Sequence, residues 1–480
     1  MTTTCIRNAD WIVAWNRSRH RHEYLRGGDV AFTGNTIECV GGRFTGKADH
    51  EVDGAGLCVM PGLVNIHCHP TNQPITRGVR EELGNPAFYM SALYDRTGLW
   101  RADDDGLLSG AETAYAELLL SGVTTVVDYA ARVPTGWIDL MARSGLRVFA
   151  APAFRDANWR VAEAGRLEYD WDETAGGRAF EAALALVDEV CAHPCGRLGG
   201  VIAPAQVDTC TSATPQRAMA AAAERNLMWQ THAGQSLPEF HEMTRRHGVT
   251  PIQWLDRIGV VEPRSTIAHA IFTDAHPMTR WPGSVDLSIL AGRGATVAHC
   301  PVVFQRYGQT MNSLGGYLRA GIHLGVGTDT APHNMVEEMC QALVMSRTAA
   351  GNVDDIRTAQ VFHAATVGGA RALQRNDFGG LAQGMRADLV LLDLAAPGMR
   401  PLRDPIRSLV YAAADRAVKH VYVDGEQVVA DGRVLTLDVA AALTRLEAAQ
   451  RRAEQGVAAL DPQGRTGAEI SPTVFPLAGG

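Results

Sequence analysis

The chain has 480 residues, 46% of them hydrophobic, and a formal net charge of −8, so it can bury one large core. No basic run is present, which argues against a nucleic-acid partner or an anionic membrane surface. The nine cysteines include no CxxC pair, the N-terminus has no apolar signal segment, and no apolar run approaches about 18 residues. We therefore expect a cytoplasmic protein without a disulfide framework or a membrane span.

Short strands punctuated by glycine-containing turns are predicted at both ends of the chain. Neither end has enough strands to bury a core alone, so residues 1–60 and 380–435 are predicted to form one small composite β-sandwich. Residues 436–480 are predicted to form a charged amphipathic helix and a tail.

Between these ends, residues 61–379 alternate short apolar strands with helical segments. The predicted strands are Leu63–His69, Val123–Asp128, Arg147–Ala151, Gly200–Ala203, Met228–His232, Thr266–Ala270, Ala295–His299 and His323–Asp329. Eight such units predict an α/β fold, a closed (β/α)8 barrel of the TIM type with its active site at the C-terminal ends of the strands. An open doubly wound sheet is the alternative, but no glycine-rich dinucleotide turn follows the first strand.

The first barrel strand ends in two histidines, His67 and His69, separated by one residue. On a regular strand both imidazoles share one face, together with Leu63 and Asn65, while Ile66 lies on the other. Two imidazoles on a rigid strand suit a divalent metal, above all zinc. Two surface histidines in a turn are the plainer alternative.

Four further polar residues close predicted strands: His232, His269, His299 and Asp329. Each alone is more often a hydrogen-bonded structural residue than a functional one. Together with the first pair, however, they fall at the C-terminal ends of barrel strands, which converge on one rim. The pattern therefore predicts a single metal-containing active site.

The segment Pro61–His69, followed in order by His232, His269 and Asp329, resembles the amidohydrolase superfamily of metal-dependent hydrolases. The likeness covers nearly the whole chain and is greatest to the cytosine-deaminase and triazine-hydrolase (chlorohydrolase) group. Residues 299–339 are closer still to a branch that contains phenylurea and molinate hydrolases.

The resemblance implies one divalent ion, zinc before iron, cobalt or manganese, held by His67, His69, His232 and Asp329. It also implies that Asp329 accepts a proton from the attacking water and that His269 orients the water or polarises the scissile carbonyl. Relatives with two metals bridge them with a carboxylated lysine. The predicted barrel contains no lysine, so we expect a single metal.

One position departs from the deaminases of this group, which carry a glutamate three residues after the strand-five histidine. This chain has Gln235 there, which can hydrogen-bond but cannot transfer a proton to a ring nitrogen. We therefore predict hydrolysis of an amide, urea or carbamate C–N bond in a small molecule. The alternatives are deamination or dechlorination of a purine, pterin or triazine ring and, with less support, a catalytically silent scaffold. Gln206 also departs from the usual histidine, and Glu239 is expected to be a solvated loop residue.

Substrate contacts are predicted after strands five, seven and eight, at Gln235, His299, Gln305, Arg306 and His333. Aromatic loop residues, among them Tyr94 and Trp159, favour a partly apolar substrate, although packing between loops explains them equally well. We also expect a homo-oligomer, a dimer or larger.

Overall fold

The computed structural model describes residues 1–162 and 165–476. Seven strands precede the barrel: β1 (Thr3–Arg7), β2 (Trp11–Asn16), β3 (Arg21–Arg26), β4 (Val30–Thr33), β5 (Thr36–Val40), β6 (His50–Asp53) and β7 (Leu57–Pro61). The barrel segment contains β8 (Leu63–Cys68), β9 (Val123–Ala130), β10 (Arg147–Phe154), β11 (Ala157–Val161), β12 (Leu167–Trp171), β13 (Leu198–Pro204), β14 (Met228–Ala233), β15 (Ser265–His269), β16 (Thr296–His299) and β17 (His323–Val326). Four strands follow it: β18 (Leu389–Asp393), β19 (Val418–Val423), β20 (Glu426–Ala430) and β21 (Arg433–Val434).

The α-helices within the described ranges alternate with the barrel strands and then continue to the C-terminus. They are α1 (Asp104–Leu120), α2 (Trp137–Ser144), α3 (Glu173–Cys191), α4 (Ala213–Arg225), α5 (Leu237–His247), α6 (Pro251–Arg257), α7 (Asp286–Arg293), α8 (Pro301–Gln305), α9 (Leu314–Arg319), α10 (Met335–Ala350), α11 (Thr358–Ala364), α12 (Val367–Ala372), α13 (Pro405–Ser408), α14 (Val439–Gln455), α15 (Val457–Leu460) and α16 (Gly467–Ile470).

Eight parallel strands close into a barrel in the order β10-β13-β14-β15-β16-β17-β8-β9, which confirms the predicted fold. Alternate residues of each strand face inward or outward, as the pleat requires. Val127 and Tyr129 pack in an interior cluster, whereas Val126 and Val148 pack against the surrounding helices. The antiparallel hairpin β11–β12 is inserted after β10.

Strand β8 does not alternate in the predicted way. Ile66 belongs to the interior cluster, and Asn65 donates from Nδ2 to Thr328 Oγ1 at 2.8 Å. The pairing of β8 with β9 shifts register between Asn65 and Cys68. Because of this irregularity, two consecutive residues, Ile66 and His67, both face the barrel interior. The prediction that Asn65 shares the histidine face was wrong for this reason.

Two sheets lie outside the barrel, one built from N-terminal strands alone and the other from strands of both chain ends. One sheet has the order β5-β4-β1-β6, and the other has the order β21-β20-β19-β18-β7-β2-β3. Ile12, Phe32, Leu389 and Tyr422 share one buried cluster, so neither end forms its core alone. The boundaries drawn at residues 60, 380 and 435 stay a prediction.

Helix α14 packs along α1 beside the barrel. Leu446 and Ala449 of α14 share a buried cluster with Leu107 of α1, and Arg452 forms an ion pair with Asp103 at 2.8 Å. The last residues of the predicted tail, 477–480, lie outside the described part of the chain. In the described residues, none of the helices combines the length and hydrophobicity that crossing a bilayer needs.

Candidate metal centre and active site

Four side chains predicted to share one site come together at the C-terminal rim of the barrel. One ligand atom from each of His67, His69, His232 and Asp329 lies within 4.8 Å of the others. Asp329 Oδ1 is 3.2 Å from Nε2 of both His67 and His69, and the Nε2 atoms of His69 and His232 are 3.4 Å apart. Three imidazoles and one carboxylate form a donor set that suits zinc and similar divalent ions.

The second nitrogen of each imidazole is already engaged. His67 Nδ1 donates to Gln230 Oε1 at 2.8 Å, His69 Nδ1 to the carbonyl of Tyr129 at 2.7 Å, and His232 Nδ1 to the carbonyl of Ala205 at 2.6 Å. These acceptors fix the tautomer with the proton on Nδ1, so that each Nε2 carries a lone pair. The four-residue cluster therefore fits a metal ion by its orientation as well as by its composition.

The pKa shifts of Asp329 and His232 agree with a metal-binding role for the cluster. Burial opposes the charged form of Asp329, but the adjoining imidazoles of His67 and His69 hold the pKa of its carboxyl well below the usual range. Burial and the neighbouring histidines lower the pKa of His232 well below its ordinary value. The carboxylate is therefore charged and this imidazole is neutral, the protonation states that metal ligation requires.

His269 lies beside the cluster and is completely buried. Its ring centroid is 5.1 Å from that of His67 and 4.7 Å from that of Phe304, and burial lowers its pKa to about 3. Neither ring nitrogen has a hydrogen-bond partner among the described residues. Because a buried polar atom without a partner is costly, this neutral imidazole is suited to a bound polar group.

Two of the rim residues adopt backbone conformations that non-glycine residues rarely take. His269 has φ +75° and Asp329 has φ +57°. Such strained residues concentrate at functional sites, where the surrounding structure must compensate for the strain.

Gln235 lies in the turn between β14 and α5. Its Oε1 accepts a hydrogen bond from Gln206 Nε2 at 2.7 Å. Glu239 was expected to be solvated, but that prediction was wrong: it is 2% exposed in the first turn of α5. Its two carboxyl oxygens accept from the backbone N–H groups of Gly234 and Gln235 at 2.7 and 2.9 Å, but burial outweighs these bonds and raises the pKa of the Glu239 carboxyl well above its usual range.

The other predicted substrate contacts are more dispersed. His299 is buried at the end of β16, and Arg306 donates to the carbonyl of Ala331 in the loop after β17. Gln305 ends helix α8 and is half-buried. His333 is fully buried with Nδ1 3.3 Å from the carboxylate of Glu117 on α1, so it packs against this helix. Their contacts with substrate stay predictions.

Two residues that support the site were not anticipated from the sequence. Gln230 anchors His67 and lies two residues before His232 on the same face of β14, so strand periodicity could have identified it. Asp208 is fully buried and accepts from Trp159 Nε1 and Tyr169 Oη of the β11–β12 hairpin at 2.9 and 2.8 Å. No local pattern links these partners, which are about 40 to 50 residues apart in sequence.

A profile of the Amidohydrolase family matches residues 58–428, more than half of the chain. The chain belongs to this family. It is a hydrolase that acts on carbon–nitrogen bonds, and the resemblance stated from the sequence is confirmed at the level of the superfamily. The finer placement beside phenylurea and molinate hydrolases stays a prediction.

Curated relatives of this amidohydrolase include a 5-methylthioadenosine/S-adenosylhomocysteine deaminase of Halobacterium salinarum. It is 29% identical over 435 residues, which cover 89% of this chain and 94% of the relative. A 5'-deoxyadenosine deaminase of Methanothermobacter thermautotrophicus is 27% identical over 434 residues, covering 88% of this chain and 94% of the relative.

Solved structures of similar fold include an adenosine deaminase from Xanthomonas campestris with bound zinc. Its TM-score is 0.80 at 24% identity, over 95% of this chain and 99% of that one. The atrazine chlorohydrolase of Arthrobacter aurescens TC1, solved with zinc, has a TM-score of 0.79 at 22% identity, over 93% of this chain and all of that one. The likeness to these structures is one of fold, and the four-residue cluster of this amidohydrolase supports a divalent metal by its own donor set.

Proposed function

We propose that this amidohydrolase cleaves the carbonyl C–N bond of a small amide, urea or carbamate. The observation that carries the proposal is the presence of Gln235, beside the buried Glu239, where deaminases of this group carry a glutamate. Gln235 cannot transfer a proton to a ring nitrogen, and both carboxyl oxygens of the nearby Glu239 accept hydrogen bonds from backbone amides. A carbonyl substrate needs no such proton, since it is already electrophilic.

His67, His69, His232 and Asp329 would hold a single ion, for which we propose zinc. A divalent ion at this position supplies Lewis acidity and lowers the pKa of a coordinated water toward neutrality. A second, lysine-bridged ion is not expected, because the barrel contains no lysine.

The chain's own residues supply the remaining chemistry. Asp329 is charged and lies at the rim, where its carboxylate accepts the proton of the attacking water and returns it to the departing nitrogen. His269 positions the scissile carbonyl through a ring nitrogen that has no partner in the described structure. His299, Gln305, Arg306 and His333 are proposed to shape the substrate pocket.

Ring deamination is the second candidate, and a specific observation favours it. The curated relatives described above are named as deaminases of adenosine derivatives. We propose that Gln235 makes this chain a poor deaminase, because the loss of a general acid lowers the rate of the chemical step roughly 10²–10⁴-fold.

Ammonia release from amino-purines therefore tests the choice between the two functions. The zinc-loaded enzyme, incubated with 5'-methylthioadenosine, S-adenosylhomocysteine or adenosine, should release ammonia at least about a hundredfold more slowly than it releases amine from its best anilide, phenylurea or carbamate. The Gln235→Glu variant should hydrolyse the carbonyl substrate no faster than the unsubstituted enzyme. Rapid ammonia release by the unsubstituted enzyme would replace the proposal with the deaminase function.

The anchoring of His67 by Gln230 gives a prediction about metal affinity. The Gln230→Leu substitution removes the acceptor of His67 Nδ1, so the ring is no longer held in one tautomer and orientation. Zinc affinity, measured by competition with a chromogenic chelator, should fall roughly 10–100-fold. Gln216→Leu, on the exposed face of α4, is the matched control and should leave the affinity unchanged.

We further propose that the enzyme acts in the cytoplasm and as a homo-oligomer. The support for a reducing compartment is in the sequence, where the nine cysteines include no CxxC pair and no regular spacing. Sedimentation velocity of the full chain would report the oligomeric state.

A further inference from the structure

Two glutamine side chains meet at the rim of the barrel next to His232. Gln206 follows β13 and forms a parallel backbone bridge with His232, and Gln235 follows the same histidine by three residues. Gln206 Nε2 donates to Gln235 Oε1 at 2.7 Å. The two residues are only 7% and 8% exposed, so water contributes little to their hydrogen bonding and the direction of this bond is important.

The backbone from which the Gln235 side chain extends is fixed. Glu239 accepts hydrogen bonds from the N–H groups of Gly234 and Gln235, and Gly234 has φ +62°, a conformation that favours glycine. Ser236 then caps α5, because its Oγ accepts from the N–H of Glu239 at 3.3 Å. The freedom that remains to Gln235 is therefore chiefly that of its side-chain torsions.

The hydrogen bond from Gln206 restricts those torsions. A carboxamide offers one acceptor, the oxygen, and one donor group, the NH₂. When Gln235 Oε1 is occupied by Gln206, the polar group left for another partner is Nε2, and in the described structure Nε2 makes no hydrogen bond of its own. Without Gln206, the carboxamide could rotate and offer either group.

We propose that Gln206 is a specificity-determining residue that commits Gln235 to donate a hydrogen bond to the substrate. The group that the substrate presents to Gln235 is then an acceptor without hydrogen, such as a carbonyl oxygen or an unprotonated aromatic nitrogen. A substrate with an N–H group at that position is rejected, because two donors would face each other in a poorly hydrated site. This inference rests on the proposed function in placing the substrate beside Gln235.

Two substitutions should invert the preference by different routes. In Gln206→Glu, the carboxylate can only accept, so Gln235 must turn its Nε2 toward residue 206 and present Oε1 to the substrate. In Gln235→Glu, the bond from Gln206 is retained by one carboxylate oxygen and the other oxygen faces the substrate. Gln216→Glu introduces the same change on the exposed face of α4 and serves as the control.

The test measures binding of two flat, neutral probes of similar size by ligand-observed NMR with the full-length, zinc-loaded enzyme. Quinoline offers an acceptor nitrogen and indole offers an N–H donor. The unsubstituted enzyme and the control should bind quinoline about tenfold more tightly than indole. Quinoline gains a hydrogen bond from Gln235 Nε2, whereas indole cannot form one. Both rim variants should prefer indole.

An equal preference in all four proteins would overturn the inference, as would failure of quinoline to bind at the limit of its solubility. Because the readout is binding, it does not depend on which bond the enzyme cleaves. Rapid ammonia release with an intact quinoline preference would refute the proposed function alone. An unchanged preference in the variants, with amide hydrolysis observed, would refute the role of Gln206 alone.

Discussion

The His67→Ala variant is expected to lose nearly all bound divalent metal, from about one ion per chain in the unsubstituted enzyme to close to none. His67 supplies one of the four ligand atoms of the cluster, and its fully buried ring is aligned by Gln230. Loss of the metal removes several kcal/mol of transition-state stabilisation. Turnover should therefore fall at least about 10³-fold. Elemental analysis by inductively coupled plasma mass spectrometry, after dialysis against zinc-buffered solution, measures the stoichiometry.

The matched control for this prediction is His333→Ala. His333 is also a fully buried histidine close to Asp329 in sequence, but its Nδ1 pairs with Glu117 and it lies outside the four-residue cluster. Its loss creates a cavity of similar size, so it reports any effect of misfolding on metal content. Two tightly bound ions per chain, or a His67→Ala protein that keeps its metal, would contradict the mononuclear site.

The position of the site was predictable from the sequence because it depends on a regular feature of the fold. Parallel strands in a barrel have their C-terminal ends on one rim, so polar residues that close apolar strands must converge there. His67, His232 and Asp329 were located by this argument without any knowledge of the side-chain geometry. The structure brings these three residues and His69 together.

The surroundings of the site were less predictable, because they depend on contacts between distant segments. The register shift in β8 arises from its pairing with β9, and a regular alternation therefore assigned Asn65 to the wrong face. The start of α5 was missed, because Glu239 was expected in a solvated loop although Ser236 and Glu239 have the spacing of a helix N-cap. The burial of Glu239 could not be predicted from local spacing, since it depends on the packing of the folded chain.

The Arg147→Met variant should show the largest loss of stability among the substitutions considered. Arg147 begins β10 and is 2% exposed, with Nη2 3.3 Å from Asp388 Oδ1 and 3.0 Å from Asp424 Oδ1. Burial disfavours the charged guanidinium, but the two carboxylates raise the pKa of Arg147 above its ordinary value, so Arg147 keeps its positive charge. Asp388 directly precedes β18 and Asp424 directly follows β19, two paired strands of the sheet built by both chain ends, and the cluster therefore joins that sheet to the barrel.

Removing Arg147 leaves Asp388, which is 1% exposed, without its counter-ion, and breaking a buried ion pair from one side costs about 3–5 kcal/mol. Methionine retains most of the side-chain volume, so the loss reports the charge rather than a cavity. Urea unfolding followed by circular dichroism measures the change. The control, Arg357→Met, removes an exposed pair with Asp354 and should cost less than about 1 kcal/mol.

A second substitution separates the ion pair from simple packing. Adding Asp388→Asn to Arg147→Met removes the uncompensated charge, so the double variant should recover part of the lost stability, whereas two independent packing defects would add. The ion cluster lies where β10 begins, at the end of the barrel opposite the metal-binding rim, so metal content should stay near that of the unsubstituted protein. If Arg147→Met were as stable as the exposed control, the buried charges would contribute little to stability. The junction of the barrel and the composite sandwich would then depend on its apolar contacts.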